Sequence, residues 1–238
     1  MVIKVGTCGF TYKHFEYFEA LEVQQTFYDV VGETTLKNWK KRAGDRVEFT
    51  VKALQVITHE YNKVTYKRMK KFKGNESNFG FFKHTEEVIK AYEITLNEAK
   101  ALGSKVIVFQ TPSSFKPTEE NINNLKQFFS SVEKGIIYAW EPRGDEWYKM
   151  DLKSLFDELG IIHVVDPFRH SSVTKDKYYR LHGIGGGEVN YSYKYTDDDL
   201  KKLAEIVLKD ENVYVMFNNI YSFEDALRFK RYLEGMSK

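Results

Sequence analysis

The sequence predicts an α/β protein that forms a (β/α)8, TIM-like barrel, on three observations. Eight short apolar runs lie along the 238-residue chain. Most of them are separated by segments with helical periodicity, and alternating strands and helices favour parallel pairing with crossover connections. Nearly every run is followed by a polar or charged residue, and eight such units in about 240 residues fit the count and size of this barrel.

The eight apolar runs are the predicted strands. They span residues 2–5, 21–27, 47–51, 105–109, 136–140, 161–165, 178–181 and 213–217. In a barrel of this kind the carboxyl ends of the strands meet at one face, where active sites are found. The polar residues that follow the runs are therefore the candidates for an active site.

The segments between the runs carry helix signals. Residues 33–43 are predicted to form a helix that Gly44 ends, and Gly103 closes another strongly periodic segment. The longest departure from simple alternation is the connection at about 53–104, between the third and fourth runs. Three later helices have a candidate N-cap followed by acidic residues, namely Thr118, Thr196 and Ser222.

Composition fits one soluble globular protein. With 42% hydrophobic residues, a chain of this length can bury one large core, and we predict a single domain over residues 1–238. A net charge of +2 gives no overall attraction to nucleic acid or to an anionic membrane. The only cysteine, Cys8, excludes an intramolecular disulfide and fits a reducing compartment.

The expected location is the cytoplasm, and no membrane partner is expected. No uncharged apolar stretch approaches the roughly 18 residues that span a bilayer. Residues 1–5 lack the long apolar segment of a signal peptide. Abundant lysine and glutamate with scarce cysteine are a pattern reported for hyperthermophile proteins.

The densest chemical signal is Glu141 with Arg143 at the end of the fifth run. The two residues are two positions apart, so in an extended chain their side chains lean towards the same side. Pro142 between them stops ladder pairing, which suits a strand end. The pair predicts a carboxylate held by a guanidinium, which would position a substrate or transfer protons. A structural ion pair is the alternative.

A second signal combines Arg180, His182 and Asp166. Arg180 and His182 share one face of the seventh run, and buried charges need partners, for which Glu141 and Asp166 are natural candidates. Asp166 would act as a base, a metal ligand or a partner of Arg180, with helix capping as the alternative. We interpret Glu141, Asp166 and His182 as the candidate catalytic residues.

The candidate binding residues follow from the same strand ends. Lys52, Arg143 and Arg180 would neutralise and orient an anion. Asn218 would orient a substrate through its amide. The full set of candidate binding residues is Glu22, Tyr28, Lys52, His59, Arg143, Arg180 and Asn218.

Two further segments suggest phosphate contacts. Residues 183–187 form a glycine-rich loop after the seventh run, where this fold commonly holds phosphate, although a merely flexible loop fits equally well. The lysine-rich segment 63–73 has the charge to contact nucleic acid. Four apolar residues interleave with its cations and favour packing instead: Val64, Tyr66, Met69 and Phe72. Nucleic acid is therefore a less favoured partner than a small anion.

A metal site is an alternative that the sequence leaves open. His59, His182, Glu141 and Asp166 could gather around zinc or manganese from separate strands. The lysines and arginines nearby argue against this, because cations raise the cost of binding another cation. Barrel metal sites are also usually richer in histidine and acid. We therefore predict no cofactor and no metal ligands.

Nine motifs occur in order along the chain. They are Gly6-Thr7-Cys8-Gly9-Phe10 with Tyr12, Glu22 with Thr26-Phe27-Tyr28, Phe49-Thr50-Val51-Lys52, Thr58-His59, Gln110-Thr111-Pro112, Glu141-Pro142-Arg143 with Trp147, Asp166-Pro167, Arg180-Leu181-His182-Gly183 and Phe217-Asn218-Asn219. Together they resemble the DUF72 family, also called the YecE-like proteins. The resemblance implies a TIM-like barrel and no established reaction. By fold analogy alone, such barrels have been likened to the endonuclease IV and xylose isomerase group.

The chain departs from the family pattern at three places. Phe10 stands where Trp is usual, Gln24 and Gln25 stand where Asn-Ser is common, and Ile220 stands where an Asp follows the asparagine pair. The last change weakens any hypothesis that needs an acid on the eighth strand.

The sequence thus favours an enzyme of the hydrolase or isomerase type without a redox cofactor. Its predicted ligand is a small anionic metabolite, either phosphorylated or carboxylated and polyol-like. One alternative is a metal-assisted phosphodiesterase acting on nucleic acid in the manner of endonuclease IV. A second alternative is a barrel that binds a ligand without catalysis. Neither the substrate nor the oligomeric state follows from the residues.

Overall fold

The strands follow one another around a closed barrel. A computed structural model describes residues 2–236 and orders the strands from β1 through β8, with β8 paired to β1 in parallel. The strands are β1 Val2–Cys8, β2 Ala20–Val23, β3 Glu48–Lys52, β4 Val106–Gln110, β5 Ile137–Glu141, β6 Ile162–Val165, β7 Lys177–Leu181 and β8 Asn212–Phe217. The predicted (β/α)8, TIM-like fold is therefore confirmed.

Eight α-helices accompany these strands within residues 2–236, with none between β1 and β2 or between β6 and β7. They are α1 Gln25–Tyr28, α2 Glu33–Ala43, α3 Gln55–Thr58, α4 Glu86–Leu102, α5 Glu119–Ser131, α6 Leu152–Leu159, α7 Asp197–Val207 and α8 Ser222–Met236. The predicted bounds of α2 are confirmed, and α4 ends at Gly103, whose φ of 66° is left-handed. Thr118 and Thr196 cap α5 and α7 by accepting a backbone hydrogen bond, whereas α8 begins at Ser222 itself.

The second apolar run is where the structure differs from the prediction. β2 ends at Val23, and the rest of the run enters α1. The hydroxyl of Thr26 donates to the carbonyl oxygens of Val23, at 3.1 Å, and of Lys52, at 2.7 Å. The first of these bonds belongs to a helical turn. Because a buried apolar run has no periodicity that separates strand from helix, the sequence pattern misses this turn.

The connection between β3 and β4 contains the lysine-rich segment. Within that segment Tyr66 and Phe72 are each 5% exposed, so the predicted packing is confirmed for these two side chains. It is wrong for Val64, which is 83% exposed. The cause is local, because Val64 precedes the short 3-10 helix Thr65–Arg68 and its backbone N–H donates to Asn62 Oδ1 on the surface.

Contacts within the described chain define two compact units, each with its own aromatic core. Unit 1 comprises residues 2–22, 42–48 and 162–236, and unit 2 comprises residues 23–41 and 49–161. In unit 1 the rings of Tyr195 and Phe217 meet edge to face at 5.5 Å. Unit 2 has a larger aromatic group, whose fully buried members include Phe82, Phe109, Phe115, Trp140 and Trp147. The single-domain interpretation stays a prediction.

No helix within residues 2–236 combines the length and the apolar character that crossing a membrane requires.

Candidate functional site

Three neighbouring strands of unit 2 each end in a polar side chain. Lys52 ends β3, Gln110 ends β4 and Glu141 ends β5. Gln110 is the register partner of Glu141, and Lys52 is the partner of Val108. Lys52 Nζ donates to Gln110 Oε1 at 3.0 Å, so the barrel's own pairing brings these groups together. With His59 and Arg143 they form what we call the strand-end cluster.

Glu141 and Arg143 form the ion pair that their spacing predicts. Arg143 Nε lies 2.8 Å from Glu141 Oε1, and the two side chains are 11% and 4% exposed respectively. The guanidinium places a positive charge directly beside the Glu141 carboxylate. Glu141 is thus a buried carboxylate at a strand end, which suits a positioning or proton-transferring group.

His59 brings a neutral imidazole to the cluster. It directly follows α3, and its Nδ1 lies 2.8 Å from the hydroxyl oxygen of Thr58. Burial lowers the pKa of His59 to about 3, and the positive charges of Lys52 and Arg143 act in the same direction. The imidazole therefore remains uncharged near neutral pH, where it is able to form hydrogen bonds but carries no positive charge.

The aromatic ring of Phe27 contacts two members of the strand-end cluster. Lys52 Nζ lies 4.0 Å from the centroid of the Phe27 ring, and the same ring meets the His59 imidazole edge to face at 5.1 Å. Tyr28, a predicted binding residue, makes a different contact. The guanidinium of Arg68 lies over its ring, 4.6 Å from the centroid. Tyr28 therefore links α1 to the lysine-rich segment.

The lowered pKa of His59 predicts a loss of stability in acid. Below its ordinary pKa of 6.5, His59 in the unfolded chain takes up a proton that the folded protein binds only near pH 3. Acidification through that window therefore favours unfolding, and His59→Gln should flatten this part of the stability profile. Imidazole 15N NMR should show a neutral His59 from about pH 5 to 8. A His59 resonance that titrates near pH 6 would contradict the assignment.

In unit 1, Arg180 pairs with Glu22. Arg180 Nη2 lies 2.9 Å from Glu22 Oε1 and Nε lies 3.2 Å from Oε2, and both residues are 0% exposed. The hydroxyl of Tyr178 donates to the same Oε2 at 2.8 Å. The sequence pattern does not identify this partner, because it joins β2 to a strand far along the chain. The geometry is that of a buried, hydrogen-bonded ion pair, and the binding roles of Glu22 and Arg180 stay predictions.

Asp166, His182 and Asn218 are joined by hydrogen bonds in unit 1. Asp166 Oδ2 accepts from the backbone N–H of His182 at 2.9 Å, and its Oδ1 accepts from Phe168 N at 3.0 Å. Asn218 Nδ2 lies 3.0 Å from His182 Nδ1. With the amide nitrogen as donor, Nδ1 is the acceptor and a neutral ring carries its proton on Nε2. Asp166 thus positions the backbone that carries His182.

The glycine-rich loop is held by Arg169. Its guanidinium donates to the carbonyl oxygens of Gly183 at 3.1 Å and Gly185 at 3.0 Å, and also to that of Gly187. The backbone N–H of Gly183 donates to the hydroxyl of Tyr195 at 2.8 Å. An arginine therefore organises this loop, which neither the phosphate-binding nor the flexible-loop interpretation includes. Phosphate binding by the loop stays a prediction.

Metal ligation was a further hypothesis for His59, His182, Glu141 and Asp166. Across residues 2–236, no three side chains of histidine, cysteine, aspartate or glutamate form a group that could hold a metal ion. We therefore derive no metal-dependent step.

Several residues of these clusters escape the sequence-based selection. Gln110 directly follows the fourth apolar run, a position that predicts a place at the strand ends. A glutamine side chain, however, is a weak indicator of catalysis or binding. Phe27 and Tyr178 resemble ordinary core residues in the sequence. Arg169 lies in a loop with no pattern that would indicate its contacts.

Comparison with known proteins supports the fold and the family. A DUF72 family protein from Enterococcus faecalis is similar with a TM-score of 0.78 and 19% identity, over 98% of this chain and 96% of its own. A DUF72 family protein from Thermotoga maritima has a TM-score of 0.71 and 25% identity, over 98% of this chain and all, 100%, of its own. No curated protein matches the chain.

A more distant neighbour shares the fold alone. Endonuclease IV from Thermus thermophilus has a TM-score of 0.55 and 11% identity, over 92% of this chain and 90% of its own. The family described as "Protein of unknown function DUF72" matches residues 5–238, nearly the whole chain. The predicted resemblance is thereby confirmed, and the chain belongs to the DUF72 family.

Proposed function

We propose that this protein is an enzyme of the hydrolase or isomerase type that acts on a small anionic, phosphorylated or carboxylated, polyol-like metabolite. We place recognition of the anion at the strand-end cluster of unit 2. The observation that carries the proposal is the position of His59, a half-buried imidazole whose pKa is lowered by burial and further by Lys52 and Arg143. With Glu141 paired to Arg143, these two cations still leave a net positive charge that an anion complements.

The cluster also supplies the groups that a polyol requires. Lys52 is 6% exposed and Gln110 is partly exposed, so a ligand would contact them after losing most of its water. Lys52 provides a point charge, Arg143 a planar fork that matches carboxylate and phosphate oxygens, and neutral His59 a hydrogen bond. The amide of Gln110 can pair with a hydroxyl group.

Proton transfer is assigned to Glu141, because its carboxylate lies next to Arg143, a member of the proposed anion site. His182 in unit 1 remains a candidate for proton transfer. Asp166 is better suited to positioning, since both of its oxygens accept backbone N–H groups.

Removing the charge of Lys52 should weaken ligand binding strongly. A charge-assisted hydrogen bond contributes about 1.5–3 kcal/mol, so Lys52→Met should lower affinity by about 10- to 100-fold for any ligand that stabilises the wild type. Thermal shift across a panel of sugar phosphates and organic acids identifies the ligand, and calorimetry measures its affinity. Lys63→Met is the matched control, because Lys63 is exposed and lies in the same unit.

The same experiment separates the proposal from its alternatives. Glu141→Gln should abolish turnover of the ligand while affinity changes little, whereas a barrel that only binds would show no turnover in the wild type. Binding of a single-stranded oligonucleotide with no binding of small anions would favour the nucleic acid alternative. The assignment would be refuted if no anion of the panel stabilised the wild type. It would also be refuted if Lys52→Met bound the stabilising anion as tightly as the wild type does.

A further inference from the structure

A pocket in unit 2 shares no lining residue with the strand-end cluster. It has a volume of about 530 Å3 and is formed by residues 30–37 and by the second half of α4. This volume is typical of small-molecule sites. Half of its lining residues are apolar, namely Val30, Val31, Leu36, Ile94 and Ala101. Glu98 of α4 also lines the pocket.

Glu98 is buried with only one of its two carboxyl oxygens satisfied. Its Oε1 accepts from the backbone N–H of Val31 at 2.8 Å, which ties the residue to the segment before α2. Its Oε2 has no hydrogen-bond partner within residues 2–236, and the residue is 4% exposed. A buried polar atom without a partner is costly. The hydrogen bond from Val31 needs only one carboxyl oxygen as acceptor. It therefore does not explain why the second oxygen of Glu98 is buried.

Because the side chain is buried, the pKa of Glu98 lies close to neutral pH. Desolvation raises the pKa of Glu98 to about 8, opposed by the Val31 N–H and by Lys71 and reinforced by Asp29. Near pH 7 the group is therefore mostly protonated. A ligand that brings a positive charge would favour the ionised form and displace this proton.

The cations around the pocket have partners of their own, which leaves Glu98 as the group to be complemented. Lys71 Nζ donates to the carbonyl oxygen of Val30 at 2.7 Å. Lys37 at the rim pairs with Glu33 of the same helix. Lys100 pairs with Glu133 at 2.8 Å. The adjacent helix α3 has the sequence Gln-Val-Ile-Thr and so contributes no titratable group.

We propose that this pocket binds an organic ammonium ion carried on a short apolar chain, with the ammonium group paired with the Glu98 carboxylate. The apolar walls accept the chain, and the carboxylate compensates the charge. The site is independent of the proposed function at the strand-end cluster, since the two share no residue.

The first test compares n-hexylamine with 1-hexanol by calorimetry on the full chain. Hexylamine should bind at least about tenfold more tightly at pH 8, because only the ammonium pairs with the carboxylate. Affinity should rise by about tenfold per pH unit from pH 6 towards 8 and then level off, because Glu98 must be ionised in the complex. At pH 7 binding should release close to one proton, which two buffers of different ionisation enthalpy reveal.

Two variants locate the ligand. Glu98→Gln keeps an acceptor for Val31 and a similar shape, so it should remove the preference for hexylamine and its pH dependence while hexanol still binds. Ala101→Trp fills the pocket from α4 without changing the carboxyl group, and it should abolish binding of both compounds. Thermal unfolding checks that each variant folds.

The proposal fails if hexylamine binds no better than hexanol, or if neither compound binds. It also fails if Glu98→Gln keeps the preference for the amine, or if Ala101→Trp binds as the wild type does. Loss of anion binding at the strand-end cluster would bear on the proposed function only.

Discussion

Replacing Arg180 by methionine is expected to lower the free energy of unfolding by about 3–5 kcal/mol. The guanidinium and the carboxylate of Glu22 are both 0% exposed and make two contacts at 2.9 and 3.2 Å. Loss of the cation leaves a buried carboxylate without its charge partner, and the hydroxyl of Tyr178 offers only a neutral hydrogen bond in compensation. The penalty for the stranded charge exceeds the value of the pair itself.

Urea unfolding of the variants provides the measurement. Glu22→Gln alone should destabilise for the same reason, whereas the double variant Glu22→Gln/Arg180→Met should lose clearly less than the sum of the two single changes. Lys126→Met is a control, because Lys126 and its partner Glu158 are 41% and 55% exposed and such surface pairs contribute about 0–1 kcal/mol. An Arg180→Met protein as stable as the wild type would show that this network does not hold unit 1 together.

Gly6→Ala is expected to cost about 3 kcal/mol or more, a large effect for one methyl group. Gly6 is the register partner of Ala20 on the neighbouring strand. A Cβ at position 6 would lie 1.7 Å from the carbonyl oxygen of Ala20 and 2.6 Å from its carbonyl carbon. Relief requires the backbone of β1 or β2 to move, and in a closed barrel neither strand shifts alone.

Gly32→Ala is the matched control for Gly6→Ala. An added Cβ at Gly32 meets nothing within 4 Å, and its φ is not in the left-handed region. The substitution should be neutral or stabilise by up to about 1 kcal/mol, through a less flexible unfolded chain. Calorimetric melting of both variants checks the pair. Equal melting temperatures for the two variants would refute the close packing of β1 on β2.

The fold was predictable because its signals are local. Strands β3 through β8 each lie within about a residue of an apolar run, since runs bounded by turn residues are strong indicators. The short helix α1 was not predictable. Its residue Thr26 donates a hydrogen bond to Lys52 O at the end of β3, a contact that no local pattern encodes.

The candidate site was predictable in its residue types rather than in its partners. Glu141 with Arg143 followed from a two-residue spacing, and the ion pair is present. The pairing of Arg180 with Glu22 links residues on different strands, so proximity in the sequence gives no indication of it. The neutral state of His59 depends on burial and on two cations, which only the folded protein establishes. Glu98 escaped attention because it lies within an ordinary helix.

The pairing of β4 with β5 has a consequence for how such proteins diversify. Gln110 and Glu141 occupy partner positions whose main-chain hydrogen bonds do not depend on the identity of the side chains. An acid, a base or an amide can therefore be exchanged at position 110 while the scaffold is retained. Under the proposed function, randomising this one position is expected to alter ligand selectivity.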